Sequence, residues 1–477
     1  MWWIWFIAIA GFLYYFFGRN NDQPTTYKNT LLRPIKPRLN EKQIDISNIE
    51  LSDEQKKLFD LLEKTNNNVF VTGKAGTGKS VLLQYFKQNS QKRLVVLAPT
   101  GVAALNVGGQ TIHSFFRIPP SFVEKKSLSL NYRVATVLRN VDTIVIDEIS
   151  MVRADLMEAI DDLLRQARGN QLPFGGVQLV MFGDLYQLPP VVGDPELHKY
   201  FQATYGGFYF FNADVWKDSQ LDIYELTHIF RQDDQAFKDI LNAFRSGKVE
   251  QTLLDTLNIR SKVQIPEQEI VNLVTTNQLV YEINDYHLEK LNEKLHEYRA
   301  SIFGNLEQSA FPTEEILRLK KGAQVMLLKN DREKRWVNGS IGIVQNLLDG
   351  EIKVNIDGFT HTIPQETWNK IRYYYNQNTK KVEEEVVSSF TQFPLRLAWA
   401  MTIHKAQGKT LGSVVVDMGD GAFAHGQTYV ALSRCKSLEG LYLKRDIAQE
   451  DIIVDPAIVT FMDKARIIDI TKYDQKN

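Results

Sequence analysis

Val69-Phe-Val-Thr-Gly-Lys-Ala-Gly-Thr-Gly-Lys-Ser80 is an apolar strand running straight into a glycine loop. Gly73, Gly78, Lys79 and Ser80 fit the phosphate-cradling pattern G-x-x-x-x-G-K-[ST]. The glycines let backbone N–H groups converge on a phosphate, and Lys79 carries a point charge to its outer oxygens. Ser80 stands at the start of the next helix, where its hydroxyl can hold Mg²⁺ and the helix dipole favours anions. The pattern predicts a nucleoside triphosphate site.

Two further apolar runs lie downstream, Leu94–Gly101, which ends in a turn, and Thr143–Glu148, and a third spans Gln178–Asp184. Continuous hydrophobic strands separated by helical segments predict a parallel sheet covered on both faces, with ligands at the strands' carboxyl ends. Asp147 and Glu148 close the second of these runs. There Asp147 would support Mg²⁺, and Glu148 would orient and deprotonate the attacking water, although a solvated turn would also place two carboxylates here. Gln187, after the third run, is placed to sense the γ-phosphate; its alternative role is a turn amide. Strand-like runs recur at Asn272–Thr276 and Val414–Asp417 without a second phosphate loop. They predict a second α/β lobe closing on the first and supplying cationic fingers, for which Arg231 and Arg434 are the candidates. Ser52 and Gln55 fit a capping box on a helix from Ser52 to Leu62; just ahead of the phosphate loop, Gln55 could also read an adenine edge.

At 477 residues the chain needs more than one core, and its 44% hydrophobic and 24% charged composition is that of an ordinary globular protein. A formal net charge of -1 confines any nucleic-acid surface to a local groove. The lone Cys435 excludes internal disulfides and thiolate zinc sites.

Residues 1–18, MWWIWFIAIAGFLYYFFG, contain no charged side chain. As a helix they would span about 27 Å, near the roughly 30 Å of a bilayer core, with tryptophans and tyrosines towards its ends. A signal peptide and a buried core helix are the rival readings, but neither a basic n-region nor a cleavage site is present. Arg19, Lys28, Arg33, Lys36 and Arg38 follow, which predicts a single-pass membrane protein with the bulk of the chain in the cytoplasm. Residues 19–49, polar and carrying Pro24, Pro34 and Pro37, read as a tether.

Blocks in fixed order carry a resemblance: GKAGTGKS (73–80), APTGVAALNVGGQTIHSFF (98–116), DEISMV (147–152), PFGGVQLVMFGDLYQLPPV (173–191), ELTHIFRQ (225–232), NGSIGIV (338–344), FPLRLAWAMTIHKAQGKTL (393–411) and YVALSRC (429–435). The chain resembles superfamily-one helicases of the petite-integration-frequency (Pif-one) type, relatives of RecD-like helicases. The resemblance implies two RecA-like P-loop motor domains, 50–230 and 231–477, the second with a small β-barrel inserted at 296–395. Short glycine-punctuated strands within that insertion agree with a barrel. It also implies ATP- and Mg²⁺-dependent 5′-to-3′ translocation on single-stranded DNA and unwinding of forked or structured DNA in repair, recombination or replication and telomere maintenance; the oligomeric state stays open, with a monomer favoured.

Carried over by position, Gly73, Ala75, Gly76, Thr77, Gly78, Lys79, Ser80 and Gly408 contact the nucleotide and Gln55 reads its adenine. Ser80 and Asp147 hold the metal. Lys79, Glu148, Gln187, Arg231 and Arg434 are catalytic. Thr100, Gly101, His113 and Ser114 would hold the strand on one lobe, and Thr402, His404 and Lys405 on the other. Phe115, Phe116 and Trp399 read as packing residues, and residues 117–140 as either a small wedge or a surface loop. The reading from a different class is a membrane-anchored ATPase that powers transport or assembly without nucleic acid.

Overall fold

The computed structural model describes residues 50–119, 122–123, 128–230, 234–266, 270–333 and 335–472, all within one compact unit, Ile49–Asn477. The first lobe is built on strands β1 (Asn68–Gly73), β2 (Leu94–Ala98), β3 (Gln110–Thr111), β4 (Thr143–Ile146), β5 (Gln178–Phe182) and β6 (Leu221–Leu226). They pair in parallel in the order β3-β2-β4-β5-β1-β6. Alternate side chains go to opposite faces. Phe70, Ile144, Ile146, Leu179 and Met181 enter one core with helix Ala154–Arg168, while Val69, Val71, Val145, Val180 and Phe182 enter another with helices Asp53–Lys64 and Lys79–Asn89. Both faces are therefore buried, as the apolar runs require. Because β4, β5 and β1 are neighbours, their carboxyl ends bring the Asp147–Glu148 turn, Asp184 and the phosphate loop to one edge of the sheet.

In the second lobe, Ala400–Thr402, Val271–Val274, Val414–Asp417 and Leu441–Leu443 form a parallel sheet in that spatial order. Helix Gln235–Ser246 buries Phe237, Ile240, Leu241 and Phe244 against it. Ala75 of the phosphate loop and Leu188 join the same core, so the lobes meet through packed side chains. The chain's end returns to the first lobe. Ile458 and Met462 of helix Pro456–Lys464 enter its core, and Ile467 bridges to Ile223 of β6.

The insertion departs from expectation. Its five antiparallel strands form an open sheet, with Phe359–Ile363 at one edge and Leu395–Leu397 at the other, and no closed barrel is found among the described residues. The sequence that follows the first edge instead becomes a long hairpin, Glu366–Asn376 with Lys381–Gln392, bulged between Lys370 and Ile371. Beyond the bulge, Ile371 and Tyr373 are buried in the first lobe's core. The Tyr373 hydroxyl accepts the Val96 N–H at 3.1 Å, and Glu384 pairs with Lys87 at 3.4 Å. Within 117–140, residues Tyr132–Asn140 form a helix that buries Val134, Val137 and Leu138 in the same core.

The membrane localisation is corrected. Among the described residues no helix is long and apolar enough to cross a membrane. Ala154–Arg168, at 15 residues, carries Asp155, Glu158, Asp161, Asp162, Arg165 and Arg168. The predicted span at 1–18 and the tether at 19–49 lie outside the described residues.

Candidate active site and strand-binding face

The phosphate loop joins β1 to helix Lys79–Asn89. Its glycines are required by space as well as by dihedral. At Gly73 (φ 151°) a Cβ would lie 2.7 Å from Thr77 Oγ1, and at Gly78 (φ 79°) 2.5 Å from Gln55 Nε2. Lys79 Nζ donates to the carbonyls of Gly73 (2.6 Å) and Lys74 (3.1 Å). Ser80 is exposed on the first turn, whereas Ala75 and Thr77 are buried.

Gln55 makes the foreseen cap and also braces the phosphate loop. Its Oε1 accepts the Ser52 N–H at 3.0 Å, completing the capping box, while its Nε2 donates to the Gly78 carbonyl at 3.2 Å. Beside it stands Phe230, whose N–H donates to the Gly76 carbonyl at 2.9 Å and whose ring is 55% exposed. The large ring is left in solvent next to the loop, a face on which a base can stack, and the sequence reading missed it; its place in the same block as Arg231 was the available signal. Arg231 itself lies outside the described residues.

Asp147 and Glu148 follow β4. Glu148 adopts a left-handed backbone (φ 51°, ψ 46°), a conformation that costs a non-glycine residue about 1–3 kcal/mol and that persists where surrounding structure enforces it. Burial raises the pKa of both carboxyls. For Asp147 the neighbouring Glu148 charge adds to the rise, and for Glu148 the positive charges of Lys79 and Arg434 oppose it. Glu148 Oε2 accepts from Gln407 Nε2 of the second lobe at 3.0 Å.

Asp184 is a hub that the sequence reading did not single out. Fully buried, it accepts at Oδ1 from Arg245 (Nε 3.3 Å, Nη2 3.2 Å) and from the Tyr186 N–H at 3.2 Å. At Oδ2 it accepts from the Tyr429 hydroxyl at 3.3 Å and the Gln187 side-chain amide at 3.5 Å. Tyr429 in turn accepts the Ala75 N–H at 3.2 Å. The predicted γ-phosphate sensor Gln187 is thus tied to the phosphate loop through one carboxylate. Burial pushes the Asp184 carboxyl up, but the Arg245 guanidinium, with Lys79 adding to it, holds it below the usual carboxylate range.

Arg434 is 1% exposed and donates to the carbonyls of Val430 (2.9 Å), Ala406 (3.4 Å) and Lys409 (3.2 Å). It is close enough to Glu148 to act on that carboxyl electrostatically. Gly408, exposed with φ 77°, lies in the same turn.

The two proposed grips are built alike. Thr100 caps helix Gly101–Asn106 by accepting the Ala103 N–H at 3.2 Å, and Thr402 caps helix Ile403–Ala406 by accepting the Lys405 N–H at 3.2 Å. Thr402 is 4% exposed, while His404 and Lys405 are exposed. The surrounding protein still lowers the pKa of both, and Arg396 lowers Lys405 further. Gly101 packs on Ala310 of the insertion, where an added Cβ would meet that residue's Cβ at 2.9 Å. His113 is half-buried, with its pKa lowered by burial and by Arg153. Ser114 Oγ already accepts from Gln110 Nε2 at 2.9 Å. Phe115 and Phe116 are core, and Trp399 is packed against the His287 ring, in line with their reading as packing residues.

An exposed hydroxyl at a helix start and a carboxylate at a strand end are the hard oxygen donors Mg²⁺ takes alongside phosphate and water. Among the described residues no group of three or more His, Cys, Asp or Glu forms a cage of its own.

The description "PIF1-like helicase" matches residues 50–254, and "DNA helicase Pif1, 2B domain" matches residues 303–347. The ATP-dependent DNA helicase Pif1 of Bdellovibrio bacteriovorus is 34% identical over 427 residues, covering 87% of this chain and 92% of that protein. The chain belongs to the PIF1-like helicase family. The human ATP-dependent DNA helicase PIF1 is also 34% identical, and the match covers 63% of its length, less than two thirds. Unliganded Pif1 from Bacteroides sp superposes with a TM-score of 0.81 at 39% identity, covering 87% of this chain and 97% of that one. The same Bacteroides protein bound to ssDNA gives 0.64 at 40% identity and the same coverage. Membership in the PIF1-like family gives no support to a membrane-anchored ATPase working without nucleic acid.

Proposed function

We propose that this chain is an ATP-dependent DNA helicase that moves 5′-to-3′ along single-stranded DNA and parts duplexes ahead of it. The observation that carries this reading is the cleft itself. Lys79 and Glu148 of one lobe meet Arg434 and Gln407 of the other, and Asp184 ties Gln187 to Tyr429 across the same junction.

In this reading Phe230 and Gln55 take the adenine, and the loop amides with Lys79 take the β- and γ-phosphates. Ser80 and Asp147 would hold Mg²⁺, which neutralises phosphate charge when bound. Glu148 accepts the proton of the attacking water, Gln187 senses the γ-phosphate, and Arg231 and Arg434 meet the charge that spreads over the transferring phosphoryl group. One nucleotide site lies between two grips, the Thr100–Ser114 face and the Thr402–Lys405 face. Alternate tightening of these grips as the lobes close and open would advance the strand. The polarity rests on the family resemblance.

The test is ATP hydrolysis by the purified chain with and without an oligothymidylate. Strong stimulation by the oligonucleotide is expected. Glu148→Gln should bind ATP and fail to turn over, and a turnover rate indifferent to DNA would overturn the reading.

A further inference from the structure

We propose that Gln407 is a positioning residue that holds Glu148 out of use until the second lobe grips a strand. This rests on the helicase reading above and adds to it the link by which hydrolysis senses DNA.

Gln407 directly follows helix Ile403–Ala406, the turn that presents His404 and Lys405, and its own N–H donates to the His404 carbonyl at 3.2 Å. Its backbone therefore travels with the proposed strand contact. Its side chain points the other way across the cleft, to Glu148 Oε2 at 3.0 Å. The turn is rigid on its far side too, because Arg434 donates to the carbonyls of Ala406 and Lys409. The grip, Gln407 and the arginine thus form one piece, and it bonds the first lobe's Glu148 carboxylate through the Gln407 amide.

Glu148 is the fixed partner. Its left-handed backbone is pinned where the Asp147 N–H donates to Leu97 (2.9 Å) and the Glu148 carbonyl accepts from Met151 (3.0 Å). With the main chain immobile, the direction of the carboxylate is set by what its oxygens bond. An oxygen that accepts the Gln407 amide is aimed at the second lobe and not at a water beside the phosphate. The bond belongs to an arrangement that agrees better with the unliganded and ADP-AlF4 forms of the Bacteroides protein (TM-score 0.81 each) than with its ssDNA-bound form (0.64), at nearly equal identity. A strand drawn onto His404 and Lys405 would shift the turn and free the carboxylate.

The experiment measures kcat and KM for ATP, with and without oligothymidylate, and oligonucleotide affinity by fluorescence anisotropy, for wild type, Gln407→Ala and Gln407→Asn. Asparagine keeps the amide but is one methylene too short to reach. Both variants should raise the DNA-free kcat by at least about 10-fold, the lower end of what one hydrogen bond to a charged group is worth. KM and DNA affinity should stay within about twofold, so the stimulation ratio shrinks from below. A merely structural residue would not raise activity when removed. A DNA-free kcat that is unchanged or lower in a folded variant overturns the proposal, and should the alanine variant melt early the asparagine variant decides. Wild type without DNA stimulation would instead overturn the helicase reading, so the two failures are separable.

Discussion

Arg245→Met tests whether the buried hub at Asp184 is held together by charge. The arginine gives Asp184 Oδ1 two N–H donors at 3.3 and 3.2 Å and Glu225 one at 3.2 Å, with its guanidinium 4.5 Å from the Tyr186 ring centroid. The Asp184 side chain is 0% exposed and that of Arg245 11%, so water cannot replace the lost partner. Breaking a buried pair from one side costs about 3–5 kcal/mol, because the remaining charge is stranded; here about 4 kcal/mol is expected. The Tyr186 N–H, the Tyr429 hydroxyl and the Gln187 amide remain on Asp184 and keep the loss from the top of that range. Neutralising the partner as well, in Arg245→Met with Asp184→Asn, should recover about 2–3 kcal/mol, since Glu225 is partly exposed and tolerates the loss better. The assay is urea unfolding of the four proteins of this cycle, followed by tryptophan fluorescence through the first cooperative transition. A cost below about 1 kcal/mol for the single variant, or a coupling energy within about 0.5 kcal/mol of zero, would refute the reasoning.

Phe230→Ala should weaken ATP binding about tenfold while Phe230→Tyr retains it, as a lost base-stacking face implies; a fluorescent-nucleotide titration reads this directly. Tyr373→Phe removes the acceptor of the Val96 N–H, so that amide should exchange with solvent faster and stability should fall by about 1–3 kcal/mol; unchanged exchange would show that the hairpin is not fastened there. Lys409, whose Nζ donates to Asn338 at 2.9 Å, has its pKa pushed down from 10.5 to about 8 by burial and by Arg396. Its folded pKa lies below the unfolded one, so the penalty of burying the ammonium is complete below pH 8 and disappears as pH rises towards 10.5. Lys409→Met should therefore gain about 2 kcal/mol at pH 7, after subtracting the lost hydrogen bond, and almost nothing above pH 10.5, as measured by denaturation at the two pH values.

What the sequence made legible was whatever is written in consecutive residues. The apolar runs gave β1, β2, β4 and β5, and the loop and the Asp147–Glu148 pair fell where strand ends must put them. At Gln55 the cap made by its oxygen was legible, whereas the bond from its nitrogen to the phosphate loop was not. The residues that were missed act over long separations. Gln407 meets Glu148 from 259 positions away, and Tyr429 meets Ala75 from 354. Each sits in a segment whose local pattern is satisfied by ordinary packing, so nothing nearby announces the contact. Closure of the insertion was illegible for a related reason. Alternation predicts that strands exist, but whether Phe359–Ile363 meets Leu395–Leu397 depends on where the hairpin after residue 366 finds its partner, and that partner is another lobe.

The bonds from Lys79 to the Gly73 and Lys74 carbonyls make the entry of a phosphate a substitution. The ammonium is already oriented and partly stripped of water by oxygens of the main chain, so much of the roughly 2 kcal/mol of rotamer freedom in its stem is surrendered during folding. Nucleotide capture then trades a neutral acceptor for a charged one with little further ordering. The energy released at this position is accordingly smaller than a naked lysine would provide, and the same carbonyls wait to reclaim the cation when product leaves.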